Sequence, residues 1–231
     1  MPIQTALTTS IVTSRDPKGL KFMQNCEAVY NKASLDGNRA QRLNENPKFT
    51  KGLAVLIGKH SQIDDHFEEI GSFEVTVPAN YDHTTCLDTF GKEHRKEFYH
   101  YNKNLTDKNF SKATTKLTPG RKFKVKVFQI KEQVSSDDCL VYLKSQKAVL
   151  VGAQGASLAY EQANNKFSVS RWSISFDEKQ ALPSVDGYHR VPSLYRASFG
   201  DFKFDLVYFG RDWYDDFCLL CFCDLEKSSD T

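Results

Sequence analysis

The residues best suited to binding chemistry lie in a basic stretch, residues 91–131. It carries twelve Lys and Arg against three Asp and Glu, a local charge of +9. Residues 1–90 carry nine basic and eleven acidic side chains, a net charge of −2. Residues 132–231 carry ten basic and fifteen acidic side chains, a net charge of −5. Cations interleaved with aromatic rings match what contact with phosphates and stacked bases requires. The candidate binding residues for nucleic acid or a protein partner are Arg95, Lys96, Tyr99, Tyr101, Arg121, Lys122, Lys124 and Lys126.

A second candidate site is the pair His189 and Arg190, which follows a turn at Asp186–Gly187. Loops carry function more often than buried segments do, so we interpret the pair as a loop site. The sequence predicts no catalytic residue. An enzyme built around this pair is the third-ranked function, and the sequence favours a protein that is not an enzyme.

Two further motifs lack parts that their chemistry requires. Gly152 and Gly155 precede a predicted helix, but a dinucleotide-binding turn needs a third glycine and a P-loop needs Gly-Lys-Ser/Thr. Cys218, Cys221 and Cys223 have no second cysteine pair to complete a zinc site. On a strand, Cys221 and Cys223 share one face and Cys218 takes the other. Close packing and a buried strand are the favoured interpretations.

An acidic run and an isolated cysteine complete the set. Residues 64–69 contain carboxylates four positions apart. On a helix, such carboxylates share one face, which can bind Mg²⁺ but is more often simply exposed to solvent. Cys86 has His83, His94 and His100 nearby in sequence, yet a nucleophile also needs an orienting group and an oxyanion site. We interpret the run as solvated and Cys86 as structural. The sequence therefore predicts no metal and no cofactor.

The elements that position these residues follow from hydrophobic periodicity. Helical spacing predicts three short helices before residue 61, and alternation of apolar and polar residues predicts strands that include Lys122–Val127 and Phe202–Tyr208. Ser135 with Asp138 resembles a helix capping box. The dense apolar patterning of Phe123–Tyr160 makes this stretch the organiser of the domain.

Runs of helices followed by hairpins predict an α+β fold. We expect a mixed, largely antiparallel sheet with two or three packed helices, preceded by a small helical N-terminal unit. The predicted boundary lies near Gly71, with residues 1–71 helical and residues 72–231 forming the α+β domain.

Composition limits the class of protein. Apolar residues make up 40% of the chain and charged residues 26%, which is typical of a globular protein. The first twenty residues lack the pattern of a secretory signal, and the longest apolar run is too short to span a membrane. We expect a cytoplasmic protein with no membrane contact and free cysteines.

The segment from about Pro119 to Asp224 resembles a group of uncharacterised bacterial proteins. The resemblance rests on GRKFKVKVFQI, SQKAVLVGAQGASLAYEQ, SISFDEK, DGYHRVPS and LLCFCD. It implies a bacterial or phage-borne origin and carries no activity, cofactor or partner with it.

The functional prediction from the sequence is a non-enzymatic binding module that acts through protein–protein contacts, as an accessory or regulatory protein. The alternative is a nucleic-acid-binding protein that uses the basic stretch. The sequence leaves the identity of the partner and the oligomeric state open.

Overall fold

The computed structural model describes residues 17–34, 36–60 and 64–225, which belong to two units, residues 1–61 and 62–231. Its helices and its mixed, largely antiparallel sheet confirm the predicted α+β fold. The division falls before the first strand and not at Gly71, because Gly71 lies within that strand and pairs with Val127. Residues 67–70, which precede the expected boundary, thus join the sheet.

The described part of the first unit contains three helices, α1 (Pro17–Lys32), α2 (Gly37–Asn44) and α3 (Pro47–His60). Asp36 caps α2 by accepting a hydrogen bond from the Arg39 backbone N–H at 2.8 Å. Asn46 does the same for α3, since its side-chain oxygen accepts from the Lys48 N–H at 3.0 Å. These caps explain why Asp36–Gly37 and Asn46–Pro47 separate the helices.

The second unit is organised by a seven-strand path in the order β1-β3-β10-β5-β7-β8-β2. Neighbouring strands are antiparallel except β10 with β5 and β8 with β2. Short β6 (Ser184–Val185) pairs antiparallel with β7, and β4 (Val134–Ser135) pairs antiparallel with β9 (Asp212–Trp213). The strands of the path are β1 (Phe67–Thr76), β2 (Phe98–Tyr101), β3 (Lys122–Ile130), β5 (Arg171–Ile174), β7 (Tyr188–Arg196), β8 (Phe202–Tyr208) and β10 (Phe217–Asp224).

Three helices cover the two faces of this sheet. On one face, α4 (Cys86–His94) and α6 (Gly152–Ala163) share a core with side chains from β1, β3, β8 and β10. On the other face, α5 (Ser136–Ser145) packs over the β1–β3–β10 end, where Tyr142 stacks on Phe67 at a ring-centroid distance of 4.0 Å. Within the described residues of the second unit, helices therefore cover one face of the sheet along its length and the other face at one end.

The start of α6 is a packing feature. Gly152 has φ +49° and donates its N–H to the Phe176 carbonyl at 3.2 Å. A Cβ on Gly155 would overlap the Val151 side chain and lie 3.1 Å from Phe222. Every residue from 152 to 160 is buried. A buried helix start of this kind has no room for a phosphate, so the glycines serve close packing.

Two local predictions are confirmed in detail. Ser135 and Asp138 form a reciprocal capping box at the start of α5. Cys218 faces the core under α6, whereas Cys221 and Cys223 face α5, as strand alternation predicted. All three cysteines are free.

The acidic run does not form the helical face that its spacing suggested. Asp64 and Asp65 lie in one 3-10 turn, and Glu68 and Glu69 belong to β1. There Glu68 accepts from Lys131 at 2.8 Å and Glu69 pairs with Lys126 at 3.1 Å. Pairing with β3 outweighed the local helical pattern. Among the described residues, no helix has the length and hydropathy needed to cross a membrane.

Candidate functional site

The sheet order divides the predicted binding residues into two groups. Arg95, Lys96, Tyr99 and Tyr101 lie on or beside the edge strand β2, whereas the other four precede or occupy β3. β3 and β2 are five strand spacings apart along the sheet, or about 24 Å at roughly 4.8 Å per spacing. A stretch that is continuous in sequence therefore presents two separate surfaces.

Carboxylates neutralise much of the β3 group. Arg121 donates two hydrogen bonds to Asp224, at 2.7 and 2.9 Å, and this pairing raises the pKa of the guanidinium. Lys126 pairs with Glu69 on β1. Lys122 and Lys124 remain exposed on the same face. This surface offers two cations without a described ion pair.

The β2 group contributes to a strongly basic groove. Lys92, Arg95, Lys96 and Lys103 surround a cavity of about 520 Å³ between α4 and the loop after β2. All four side chains belong to exposed residues. Within the described ranges, no carboxylate lies within ion-pair distance of any of them. We call these four cations the basic groove; Asp88 is the one acid that lines it.

Tyr101 forms the inner wall of the basic groove. Its ring packs over Gly91, where an added Cβ would lie 3.2 Å from the hydroxyl oxygen. Burial raises the pKa of Tyr101 to about 12, and the hydroxyl has no hydrogen-bond partner among the described residues. The groove thus combines four unpaired cations with a neutral aromatic wall and a free hydroxyl.

On the opposite face of the sheet, aromatic and cationic side chains form a row across four strands. The register pairs Trp172 of β5 with Tyr195 of β7, Tyr195 with Lys203 of β8, and Lys203 with His100 of β2. With Tyr99, these residues line a cavity of about 630 Å³. We call the five residues Tyr99, His100, Trp172, Tyr195 and Lys203 the aromatic platform.

Ring contacts and one carboxylate fix the geometry of the aromatic platform. Trp172 and Tyr195 have ring centroids 5.1 Å apart, and the Lys203 ammonium lies 5.2 Å from the Trp172 ring centre. Asp205 accepts from Lys203 and from Asn102, each at 2.8 Å. Burial acts to raise the pKa of Asp205, but the hydrogen bonds from Asn102 and Lys203 outweigh it and lower the value.

Edge strand β2 joins the two surfaces. Tyr99 and His100 line the cavity of the aromatic platform, and Tyr101, the next residue, lines the basic groove. Exposure is high at this edge, since 58% of Tyr99 is accessible to solvent. An extended ligand can therefore contact both surfaces by crossing a single strand.

The hairpin between β7 and β8 places an apolar side chain beside the platform. Phe199 at its tip is 97% exposed, next to Gly200 with φ +93°. Ser198 contacts Ser170, a residue that lines the platform cavity, through hydroxyls 3.0 Å apart. Phe199 thus follows directly after a residue that contacts the lining of the platform cavity.

The pair His189 and Arg190 does not occupy a loop. Both residues lie in β7, because the hairpin with β6 begins at Tyr188. His189 Nδ1 lies 3.1 Å from the Leu182 carbonyl, which ties the ring to the preceding segment. Arg190 lines a cavity of about 450 Å³ that shares Trp172 and Lys203 with the platform. Arg190 thus extends the platform, and His189 has a structural contact.

Cys86 has surroundings that suppress thiolate chemistry. Its thiol lies 3.1 Å from the Tyr81 hydroxyl and 3.7 Å from Asp107, and burial raises its pKa to about 12. His83 does not serve it as a base, because its Nδ1 accepts the Leu117 N–H at 3.1 Å. The interpretation of Cys86 as structural is consistent with this geometry.

Several residues of both surfaces were missed from the sequence. Lys92 and Lys103 lie inside the basic stretch but were not singled out, although both flank the selected Arg95–Tyr101 segment. Lys203 lies on the predicted strand Phe202–Tyr208, and Trp172 and Tyr195 lie on β5 and β7. Their convergence depends on the order and register of the strands, which no local pattern encodes.

Searches of protein-family models, curated proteins and solved structures found no match to this chain. The resemblance to uncharacterised bacterial proteins stays a prediction.

Proposed function

We propose that this protein binds single-stranded nucleic acid, with phosphates in the basic groove and bases on the aromatic platform. The observation that carries the proposal is the junction at β2, where four unpaired cations adjoin a row of aromatic side chains. Grooves of cations that follow a backbone, combined with rings on which bases stack, are typical of single-strand binding.

The charge distribution supports different binding roles for the two surfaces. Lys92, Arg95, Lys96 and Lys103 face Asp88 alone in the groove, whereas the platform cavity contains Lys203 and also Asp216. Asp205 pairs directly with Lys203. Carboxylates repel phosphates, so the platform suits the uncharged bases and the groove suits the charged backbone.

The geometry favours a single strand over a duplex. The platform row lies flat on a sheet and spans three strand spacings from β5 to β2, about 14 Å. Rings in such a row can stack only on bases that are unstacked from their own neighbours. Duplex bases are not available in this way, so duplexes would contact the groove alone.

Direct binding measurements test this proposal. We expect a fluorescein-labelled oligo(U) or oligo(dT) of about 20 nucleotides to bind more tightly than a duplex of equal length. Trp172 gives a second readout, because stacking on its partly exposed ring should quench its fluorescence, whereas Trp213 is fully buried. Equal affinity for heparin and oligo(U), with no quenching, would reduce the proposal to general polyanion binding.

Tyr99 offers a sharp test of the stacking step. Replacing Tyr99 with Ser removes one exposed ring, and losing one stacked base should weaken binding by about 5- to 150-fold, or 1–3 kcal/mol. Tyr188→Ser is the matched control, because Tyr188 is 53% exposed on the same sheet but lies outside the platform. Unchanged affinity in the Tyr99 variant would contradict stacking at this position.

A protein partner is the second candidate function, and Phe199 is the observation that favours it. An aromatic ring that is 97% exposed at a hairpin tip is typical of a contact residue. A stoichiometric protein that co-purifies with the wild-type chain and is lost with Phe199→Ser would support this function. Retention of that protein by the variant would exclude the hairpin tip as its contact.

We also propose the cytoplasm as the compartment. The described cysteines are all free, including Cys221 and Cys223 with sulfur atoms 3.7 Å apart. Cytoplasmic reductants keep thiols in this state.

A further inference from the structure

A histidine and two carboxylates from two helices converge in a third cavity of the second unit. Glu93 and His94 lie at the end of α4, and Glu161 lies on α6. Their ligand atoms all lie within 4.8 Å of one another. They line a cavity of about 380 Å³ between these helices and the loop before α4. The cluster is separate from the basic groove and the aromatic platform.

Hydrogen bonds fix the orientation of the His94 ring. Nδ1 lies 3.0 Å from Glu97 Oε1, and Glu97 Oε2 accepts from the Tyr160 hydroxyl at 3.0 Å. The ring also packs against Phe90 at a centroid distance of 4.9 Å. A proton on Nδ1 shared with a carboxylate leaves the lone pair on Nε2, the arrangement that supports histidine ligands in metal sites.

The spacing on the other side of the ring suits a metal better than a hydrogen bond. His94 Nε2 and Glu161 Oε1 are 3.5 Å apart. Hydrogen bonds between nitrogen and oxygen usually measure about 2.7–3.2 Å. Two ligands at 2.0–2.1 Å from a tetrahedral Zn²⁺ lie about 3.3–3.4 Å apart. The observed gap corresponds to one edge of such a coordination tetrahedron.

We infer that Glu93, His94 and Glu161 form a binding site for Zn²⁺, with Glu97 as a positioning residue for the histidine. One imidazole nitrogen and two carboxylate oxygens are ligands that Zn²⁺ accepts, and the imidazole disfavours Mg²⁺ and Ca²⁺, which prefer oxygen alone. Because the three residues line the cavity, water from it would complete the coordination. This inference does not depend on the proposed function.

Zn²⁺ titration of the full chain against a chromophoric chelator tests the site. We expect one equivalent of Zn²⁺ to bind per chain, and His94→Gln and Glu161→Gln each to weaken it by at least about 100-fold, because three protein ligands become two. Glu97→Gln keeps all three ligands and should lower the Zn²⁺ affinity by about 10- to 100-fold, because the orientation of the His94 ring is lost. A Co²⁺ spectrum free of sulfur-to-metal charge transfer would support the nitrogen and oxygen ligand set.

Two controls make the outcome decisive. His100→Gln and Asp88→Asn each remove a similar group outside the cluster and should leave Zn²⁺ affinity unchanged. Binding that persists in His94→Gln but disappears on cysteine alkylation would assign the metal to thiols and overturn the inference.

The alternative state is a protonated His94 that pairs with Glu97 and Glu161 and binds no metal. Nitrogen NMR shifts of the His94 ring distinguish the two states. A change at Nε2 on addition of Zn²⁺ supports the site, and the absence of any change overturns it.

Discussion

Removal of the four groove cations should abolish the salt dependence of nucleic-acid binding. For single strands the logarithm of the binding constant falls with the logarithm of salt concentration, with a slope of about −0.7 for each neutralised phosphate. Four cations therefore give a slope of about −2.8, which corresponds to a loss of about 50-fold between 50 and 200 mM salt. The variant Lys92→Gln, Arg95→Gln, Lys96→Gln, Lys103→Gln should show a slope near zero.

The second basic surface supplies a matched control. The variant Arg121→Gln, Lys122→Gln, Lys124→Gln, Lys126→Gln removes the same number of charges from β3 and the residue before it. It should keep a slope of about −2.8, because β3 lies five strand spacings from β2, the edge strand beside the basic groove.

Fluorescence anisotropy of labelled oligo(U) across a salt series measures both slopes. The groove residues are exposed and have no described ion pair, so the free energy of unfolding should change by about 0.5 kcal/mol or less per residue. Urea denaturation checks this. A groove variant that keeps its slope while the β3 variant loses it would refute the assignment and return the interface to the lysine row of β3.

Three further predictions concern the scaffold. Gly155→Ala should lower the free energy of unfolding, measured by urea denaturation, by about 1–3 kcal/mol, because the added Cβ overlaps the Val151 side chain. Gly71→Ala is the control and should have a far smaller effect, because its added Cβ meets nothing within 4 Å. Ser136→Ala should cost about 1–3 kcal/mol by the same measurement, because the buried Trp213 Nε1–H donates to Ser136 Oγ at 2.8 Å and would lose its partner. Burial raises the pKa of Asp177 above its ordinary 3.8, so its contribution to stability should fall as pH rises from that value through the folded-state pKa. Asp177→Asn should remove this part of the pH dependence above about pH 4, and an unchanged pH profile would contradict it.

Elements with strong local signals were predictable from the sequence. The alternation of Phe123, Val125 and Val127 with lysines gave β3, and Ser135 with Asp138 gave the start of α5. Both depend on residues a few positions apart, and side-chain periodicity or capping alone determines them.

Elements that depend on pairing between distant parts of the chain could not be predicted from the sequence. The segment that includes Glu68 and Glu69 looked helical, but it is a strand because β3 pairs with it. The edge strand at Phe98–Tyr101 pairs in parallel with β8, about one hundred residues away in sequence. Such pairings gain their stability from contacts that a local window does not contain.

The candidate site was predictable only in part for the same reason. Arg95, Lys96, Tyr99 and Tyr101 were selected from charge and aromatic spacing; three of them line the basic groove, whereas Tyr99 lines the cavity of the aromatic platform. Trp172, Tyr195 and Lys203 come from three strands, and only the register of β5, β7 and β8 places them in one row.

The position of β10 has a consequence for biosynthesis. It is the last described strand in chain order, yet it lies between β3 and β5 near the middle of the sheet. As the chain leaves the ribosome, the β1–β3 pair and the strands from β5 to β2 can each form hydrogen bonds, but each has an open edge until Phe217–Asp224 arrives.

Open strand edges attract other chains, and nascent domains with such edges are prone to misassembly. Because Cys218, Leu219, Leu220, Cys221 and Phe222 are all buried in the finished sheet, the joining strand is also among its most apolar segments. We therefore expect the nascent protein to be more prone to misassembly before Phe217–Asp224 is synthesised than after this strand has joined the sheet.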